Sequence, residues 1–282
     1  MPLTAFLLVA SAALAHATWN LLVKHAAHSR RLIWFSSTTE AALLLPVALW
    51  VTANSWSRLG VKAALFLVAT GVVHLLYTAG LQRGYQAGDF SVVYPLARGS
   101  GPLLSFCGAI LVLGEHLSVL AGAGALLITG GILLISARAT GSYRGGLFWG
   151  IATGFAIASY TLIDGYSVKV LLLAPVLVEY AGNLVRAIML SVGTLRDRAS
   201  LAIEYREFWK EATAIAILTP AAYILVLFAM QIAPVSRVAP VREMSMMIGA
   251  WFGVKFLREE NAGRRIFGSA LIVAGVAALA WS

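Results

Sequence analysis

Residues Val92 to Glu115 read VVYPLARGSGPLLSFCGAILVLGE. The stretch is apolar enough to cross a bilayer, yet it carries Tyr94-Pro95 and a lone Arg98, and it closes on Gly114-Glu115. Residues Ser236 to Glu259, SRVAPVREMSMMIGAWFGVKFLRE, follow the same plan. Arg98 and Arg242 lie 144 residues apart, as do Glu115 and Glu259, Gly124 and Gly268, and Gly131 and Gly275. A chain of 282 residues whose landmarks return at about half its length reads as two copies of one unit.

Composition places those copies in a membrane. Hydrophobic residues make up 60% of the chain, charged residues 12%, and the mean hydropathy is +0.85. A soluble domain holds about 45–50% apolar and roughly 25% charged residues. The net charge of +9 does not mark a nucleic-acid binder, because the basic residues fall mostly in short links between apolar runs, where they orient helices. The single cysteine, Cys107, rules out an internal disulfide and reads as a small buried hydrophobe. Residues 13–17, ALAHA, resemble a signal cleavage site, but no Lys or Arg precedes the apolar run. The expectation is a retained first helix.

The apolar runs predict ten transmembrane helices of about 18–24 residues, near 3–23, 32–52, 63–82, 90–113, 118–136, 146–166, 172–195, 212–230, 236–257 and 265–281. The longest polar stretch, 196–211, reads as a link. Barrel strands would alternate polar and apolar residues, which these runs do not. Residues 1–137 form the first repeat, 138–144 a connector and 145–282 the second repeat. Five helices per copy make the copies enter the membrane in opposite senses, which is the inverted-repeat plan of secondary transporters around a central cavity.

Several motifs carry a resemblance. HATWNLLVK (16–24), YPLARG (94–99), LGE (113–115) and GAGALLITGGILLIS (122–136) resemble the EamA type of the drug/metabolite transporter superfamily. The second half adds YTLIDG (160–165), APVRE (239–243), LRE (257–259) and GSALIVAG (268–275), so the resemblance spans nearly the whole chain as two EamA-like repeats. It implies passage of small organic solutes, often export of amino acids or related metabolites. HATWN and PLARG also resemble an EamA-like branch linked to phosphonate utilisation. The resemblance implies both termini inside the cell, whereas the basic links between helices 1–2, 3–4, 5–6, 7–8 and 9–10 place the termini outside.

Residues with chemistry sit inside these helices. Arg98 and Arg242 are costly there, about 3 kcal/mol each on insertion scales, so each needs a partner or a wet cavity. Near a pseudo-two-fold axis their guanidiniums can hold a carboxylate or phosphonate. Otherwise Glu40 and Glu243 neutralise them, or they snorkel to the interface. Pro95 and Pro240 precede the arginines and kink their helices, freeing carbonyls to line a cavity. His16 and Asn20 share one face of helix 1, and Asn20 is equivalent to Asp164. Asn20 can hydrogen-bond a substrate or glue helices together. Asp164 is a proton-coupling candidate with Glu40 and His16, or an interfacial residue near the end of helix 6. His74 and Tyr77 share a face of helix 3, and His74 can titrate. With Trp19, Tyr94, Tyr160 and Tyr223 they can wall an aromatic pocket, although aromatics also mark the interface. Glu179, Asn183 and Arg186 form a stripe on helix 7, while Glu115 and Glu259 read as anchors of short links.

The sequence holds no GxSxG, HExxH, GxxxxGK[ST] or paired cysteines, so neither an enzyme nor ATP drive is expected. The reading is a cofactor-free secondary transporter, an exporter of amino acids or other carboxylate or zwitterionic metabolites by alternating access. Its binding set is Arg98, Arg242, His74, Tyr77, Trp19, Tyr94, Tyr223 and Asn20. Its partners are a small-molecule substrate, protons as a coupling ion and membrane lipids, in a monomer or homodimer of the bacterial inner membrane. Nucleic acid is not a partner. The alternatives are a lipid-linked flippase, a phosphonate-related carrier and a non-transporting scaffold.

Overall fold

The computed structural model describes residues 1–26, 29, 31–56, 59–87, 90–116, 118–136, 143–195, 201–248, 251 and 262–282. Glu259, most of the connector 138–144, residues 196–200 of the polar link and the last turns expected of helix 9 lie outside the described residues. Tyr94 and Pro95 lie on a described helix, but their side chains fall outside the description.

Among the described residues every regular element is a helix. They are α1 (Leu3–His25), α2 (Leu32–Asn54), α3 (Val61–Ala87), α4 (Phe90–Leu113), α5 (Val119–Ser136), α6 (Tyr143–Lys169), α7 (Pro175–Thr194), α8 (Leu201–Ile232), α9 (Val235–Val241) and α10 (Ala262–Trp281). Seven of them, α1 to α4 and α6 to α8, are long and apolar enough to cross a membrane; α5 and α10 carry shorter apolar runs. The cause is solvent: in hydrocarbon, a backbone N–H has no water to bond, so each segment must satisfy its own. On α3, Leu65, Val68, Val72 and Leu76 face outward, while Thr70 is fully buried. Cys107 is exposed on α4 and does not serve as a buried core residue, because apolar side chains in a bilayer are free to face outward.

Several expected bounds shift by a few residues, as at the end of α3, which continues through the expected turn from Arg83 to reach Ala87, and two helices change more. The helix expected at 212–230 begins at Leu201, so α8 has 32 residues and runs about 48 Å, well beyond a hydrocarbon core of about 30 Å. Its polar first turns find partners: Glu204 accepts from Ser29 Oγ (2.6 Å) and pairs with Arg31 (2.9 Å). The helix expected at 236–257 does not run continuously. α9 ends at Val241, and the chain turns through Arg242 and Glu243 before residues 244–248 resume as helix. Pro240 supplies no N–H to the preceding turn. Over the break the Glu243, Ser245 and Met246 amides bond three residues back.

The helices pack in related pairs. α1 lies on α8 and α3 on α6; α2 lies on α8 and α3 on α7; α2 packs on α7, α4 on α9, and α5 on α10. The α5–α10 contact is reciprocal. A Cβ on Gly124 would come 2.7 Å from the Gly275 carbonyl oxygen, and one on Gly275 would come 2.5 Å from that of Gly124. A Cβ on Gly131 would meet the Gly268 carbonyl oxygen at 2.6 Å. Close backbone approach through small residues is how membrane helices gain contact where lipid removes the hydrophobic drive.

Beyond α4, Gly114 turns the chain with φ +68°, and Glu115 then accepts the Val235 and Ser236 amides (2.7 and 2.9 Å) at the start of α9. Lys169, at the end of α6, pairs with the same carboxylate at 3.2 Å. Burial opposes ionisation of Glu115, but the Ser236 and Val235 hydrogen bonds and Lys169 outweigh it and hold this carboxyl below the ordinary range.

Gly124→Ala is expected to force α5 and α10 apart and to cost about 1–3 kcal/mol, as overpacking does. Gly130→Ala, where a Cβ meets nothing within 4 Å, is expected to leave the thermal midpoint in detergent unchanged. Equal midpoints for the two variants would contradict the close contact.

Candidate functional site

A cavity of about 140 Å³ opens in the middle of the bundle, several times the roughly 30 Å³ that one water occupies in the liquid. Its wall draws on α1, α3, α4, α6, α7, α8 and the turn after α9. His16, His74, Arg98, Tyr160, Arg186 and Tyr223 all line it, and each lies more than two turns inside its own helix. The polar wall is therefore central along the helices, away from their ends.

One corner is ionic. Arg98 on α4 and Arg242 in the break after α9 are 7% and 5% exposed, and both line the cavity. Glu243, fully buried, lies between them: Arg98 Nη2 is 2.8 Å from Oε2 and Arg242 Nε is 3.5 Å from Oε1. After the break in the α9 helix, Glu243 reaches Arg98 while its neighbour Arg242 lines the cavity. Among the described residues one carboxylate thus faces two guanidiniums. Among the described residues, Arg242 Nε and Nη2 find no hydrogen-bond acceptor. Buried donors without acceptors are rare and invite one.

A second part of the wall is aromatic. The His74 ring stacks on Tyr160 at 4.2 Å between centroids, and Tyr223 meets His74 edge-on at 5.8 Å. Tyr77 stands edge-on to Tyr160 at 5.8 Å. His74 Nδ1 lies 3.0 Å from the Thr70 carbonyl oxygen and 3.2 Å from Thr70 Oγ1: a protonated Nδ1 donates to the carbonyl, and a bare one accepts from the hydroxyl. Tyr223 donates to Asp164 Oδ2 at 2.5 Å. Asp164 is completely buried behind that hydroxyl, so its place is the bundle interior and not the interface. On α1, His16 and Trp19 meet edge-on at 5.0 Å and both reach the cavity.

The remaining wall was not in the expected binding set. Glu179 and Arg186 on α7 line the cavity. Arg186 donates from Nη2 to Asn183 Oδ1 (2.7 Å) and from Nε to Ser37 Oγ (3.0 Å), and lies 3.4 Å from Glu40 Oε2. Asn183 in turn donates to the Ser37 carbonyl at 3.0 Å. Glu40 therefore pairs with Arg186, and Glu243 lies against both Arg98 and Arg242. The signal for this wall was the Glu179, Asn183, Arg186 stripe at helical spacing; its partner helix was not readable.

Of the expected residues, Arg98, Arg242, His74, Tyr77, Trp19, Tyr223 and His16 come together at the cavity. Asn20 does not join them: its amide donates to the His16 carbonyl of its own helix at 2.7 Å. Glu40 and Asp164 stand behind the wall, and the side chain of Tyr94 is outside the description. Among the described residues no three His, Cys, Asp or Glu side chains converge as a metal site.

Comparison with known proteins bears on the fold. No family model matches the sequence, and no curated protein does. A crystal structure of another protein superposes over 99% of this chain and 96% of its own with a TM-score of 0.75, at 18% sequence identity. At that identity the likeness speaks for the architecture alone.

Glu243→Gln keeps the side chain's size but strips the two arginines of this carboxylate. Removing one member of a buried pair costs about 3–5 kcal/mol. Glu204→Gln, whose pair with Arg31 is partly exposed, is expected to cost no more than about 1 kcal/mol. Thermal unfolding in detergent separates the two; equal losses would contradict a buried ionic centre.

Proposed function

We propose that this chain is a secondary carrier of the EamA type, built from ten transmembrane helices in two inverted repeats, and that it moves a small organic acid or zwitterion. The observation that carries the reading is the central cavity, where Arg98 and Arg242 share a wall with aromatic rings and Arg242 keeps buried donors without a hydrogen-bond acceptor among the described residues. A carboxylate or phosphonate fits the guanidinium corner through paired hydrogen bonds. The rest of such a solute fits against His74, Tyr77, Tyr160 and Tyr223.

The two-fold plan is supported by the helix pairing. Moving each helix five places along the chain turns α1 on α8 into α6 on α3, and α2 on α8 into α7 on α3, and all four contacts occur. Gly124 and Gly131 correspond to Gly268 and Gly275, and they meet crosswise, as positions related by a two-fold axis do. Rocking the repeats about a fixed central site gives alternating access. The chemistry asked of the protein is binding and release, with no bond made or broken, which agrees with the absence of enzyme motifs in the sequence. The compact cavity favours a free metabolite over a lipid-linked sugar as cargo.

The test is a flux screen in proteoliposomes across amino acids and phosphonates, with and without a pH gradient. Arg242→Ala is expected to reduce uptake of each hit by at least about tenfold, equivalent to roughly 1.4 kcal/mol. If Arg98→Ala and Arg242→Ala both carry every hit at the wild-type rate, the arginines do not hold the cargo and the reading fails.

A further inference from the structure

We propose that Glu115 is a latch: it ties the end of α4 to the start of α9 and so shuts the cavity toward the end of the bundle that carries the C-terminus. The need for it is local. α9 starts after Pro234, whose side chain has no oxygen, so the usual side-chain cap is missing. The first amides of a helix have no acceptor within it. Those of Val235 and Ser236 find Glu115 instead, at 2.7 and 2.9 Å, 120 and 121 residues away in the chain. The left-handed turn at Gly114 (φ +68°) carries the chain off α4 and sets Glu115 at this place.

Other chain ends gather on the same carboxylate. Lys169, the last residue of α6, lies 3.2 Å from Glu115 Oε1 and donates to the Ala233 carbonyl just past α8 at 3.3 Å. Arg237, the third residue of α9, donates to the Ser282 carbonyl, which places the C-terminus at this end of the bundle. Glu115 belongs to the first of the two sequence repeats, while Lys169, Val235 and Ser236 belong to the second. The contact therefore joins the two units whose relative motion alternating access requires.

The latch bears on the cavity because α9 leads into it. The helix has seven residues, and Arg242 and Glu243 follow at once. α4 thus holds this segment at two levels, through Glu115 at the end of the bundle and through the Arg98–Glu243 pair in its middle. The two holds differ in kind. Glu243 is fully buried, and parting a buried pair leaves a bare charge without water. The Lys169 side chain is 34% exposed, so water stands ready to take over the bonds at Glu115 when the helix ends separate. With the inner pair kept and Glu115 released, α9 swings about the turn after Val241, and its start leaves α4. This role rests on the carrier reading, in which the cavity opens to each face of the membrane in turn.

The experiment places a single cysteine in the cavity wall, Ala222→Cys, in protein that lacks its native thiol (Cys107→Ala) and carries a cleavable C-terminal tag to tell the two faces of the membrane apart. The rate of modification by an impermeant thiol reagent is measured from each face. Because charge-assisted bonds are lost, Glu115→Gln is expected to speed modification from the face of the C-terminus at least about fivefold. The rate from the other face is expected not to rise. Lys169→Gln, which leaves both amide bonds in place, is expected to give a smaller rise from the same face, and it decides the assignment if Glu115→Gln does not fold. Glu204→Gln, in the first turn of α8 and so at the opposite end of that helix, is expected to change neither rate. Rates unchanged in both latch variants, or raised equally from both faces, overturn the latch, while a cysteine that still reacts keeps the carrier reading. A cysteine inert from both faces in every variant removes the two together.

Discussion

The structure turns on one carboxylate, Glu243, placed between the guanidiniums of Arg98 and Arg242 in the middle of a bundle otherwise built for lipid. Taking any of the three out of water is costly, and mutual attraction offsets this only where the geometry is good. The geometry comes from two helices of different kinds. α4 runs unbroken past Arg98, whereas α9 ends at Val241 and the chain turns, so that Glu243 reaches Arg98 while Arg242 lies against Glu243 in the cavity wall. An unbroken helix would spread consecutive residues about 100° apart around its axis.

The polar interior sits inside an inverted partition of side chains. Large apolar residues such as Leu65, Trp50 and Leu111 face outward, and histidines, tyrosines and charged groups face inward. The outer helices are held by close backbone contact, most visibly where Gly124 and Gly275 meet, and not by burial of greasy side chains from water. Apolar side chains such as Ile128, Leu227 and Met230 are fully buried as well. The centre holds a cavity lined by an ionic corner, aromatic rings, and Glu179 and Arg186 of α7.

Much of this was legible in the sequence, for reasons that are local. Spans show as runs of apolar residues, because a bilayer imposes length directly on the chain. Mid-span arginines show as anomalies in such runs. What was not legible depends on helices meeting. Glu40 looked available to Arg98 or Arg242, yet α2 packs on α7 and delivers it to Arg186. Asn20 shared a face with His16, but an amide in a helix can satisfy itself on the carbonyl four residues back. Residues 201–211 looked like a link because they are polar, but they continue α8 beyond the hydrocarbon, where polar residues and helix are compatible.

The central claim is that aqueous solutes reach the middle of the bundle, and cysteine accessibility tests it most directly. With the native thiol removed by Cys107→Ala, a single cysteine is placed either in the cavity wall, as Ala222→Cys, or on the lipid-facing side, as Leu65→Cys. A membrane-impermeant, hydrophilic thiol reagent is then applied to each side of the bilayer. The account predicts that the cysteine at 222 is modified from at least one side while that at 65 stays unreacted. A cysteine at 222 as inert as the one at 65, from both sides, would contradict it.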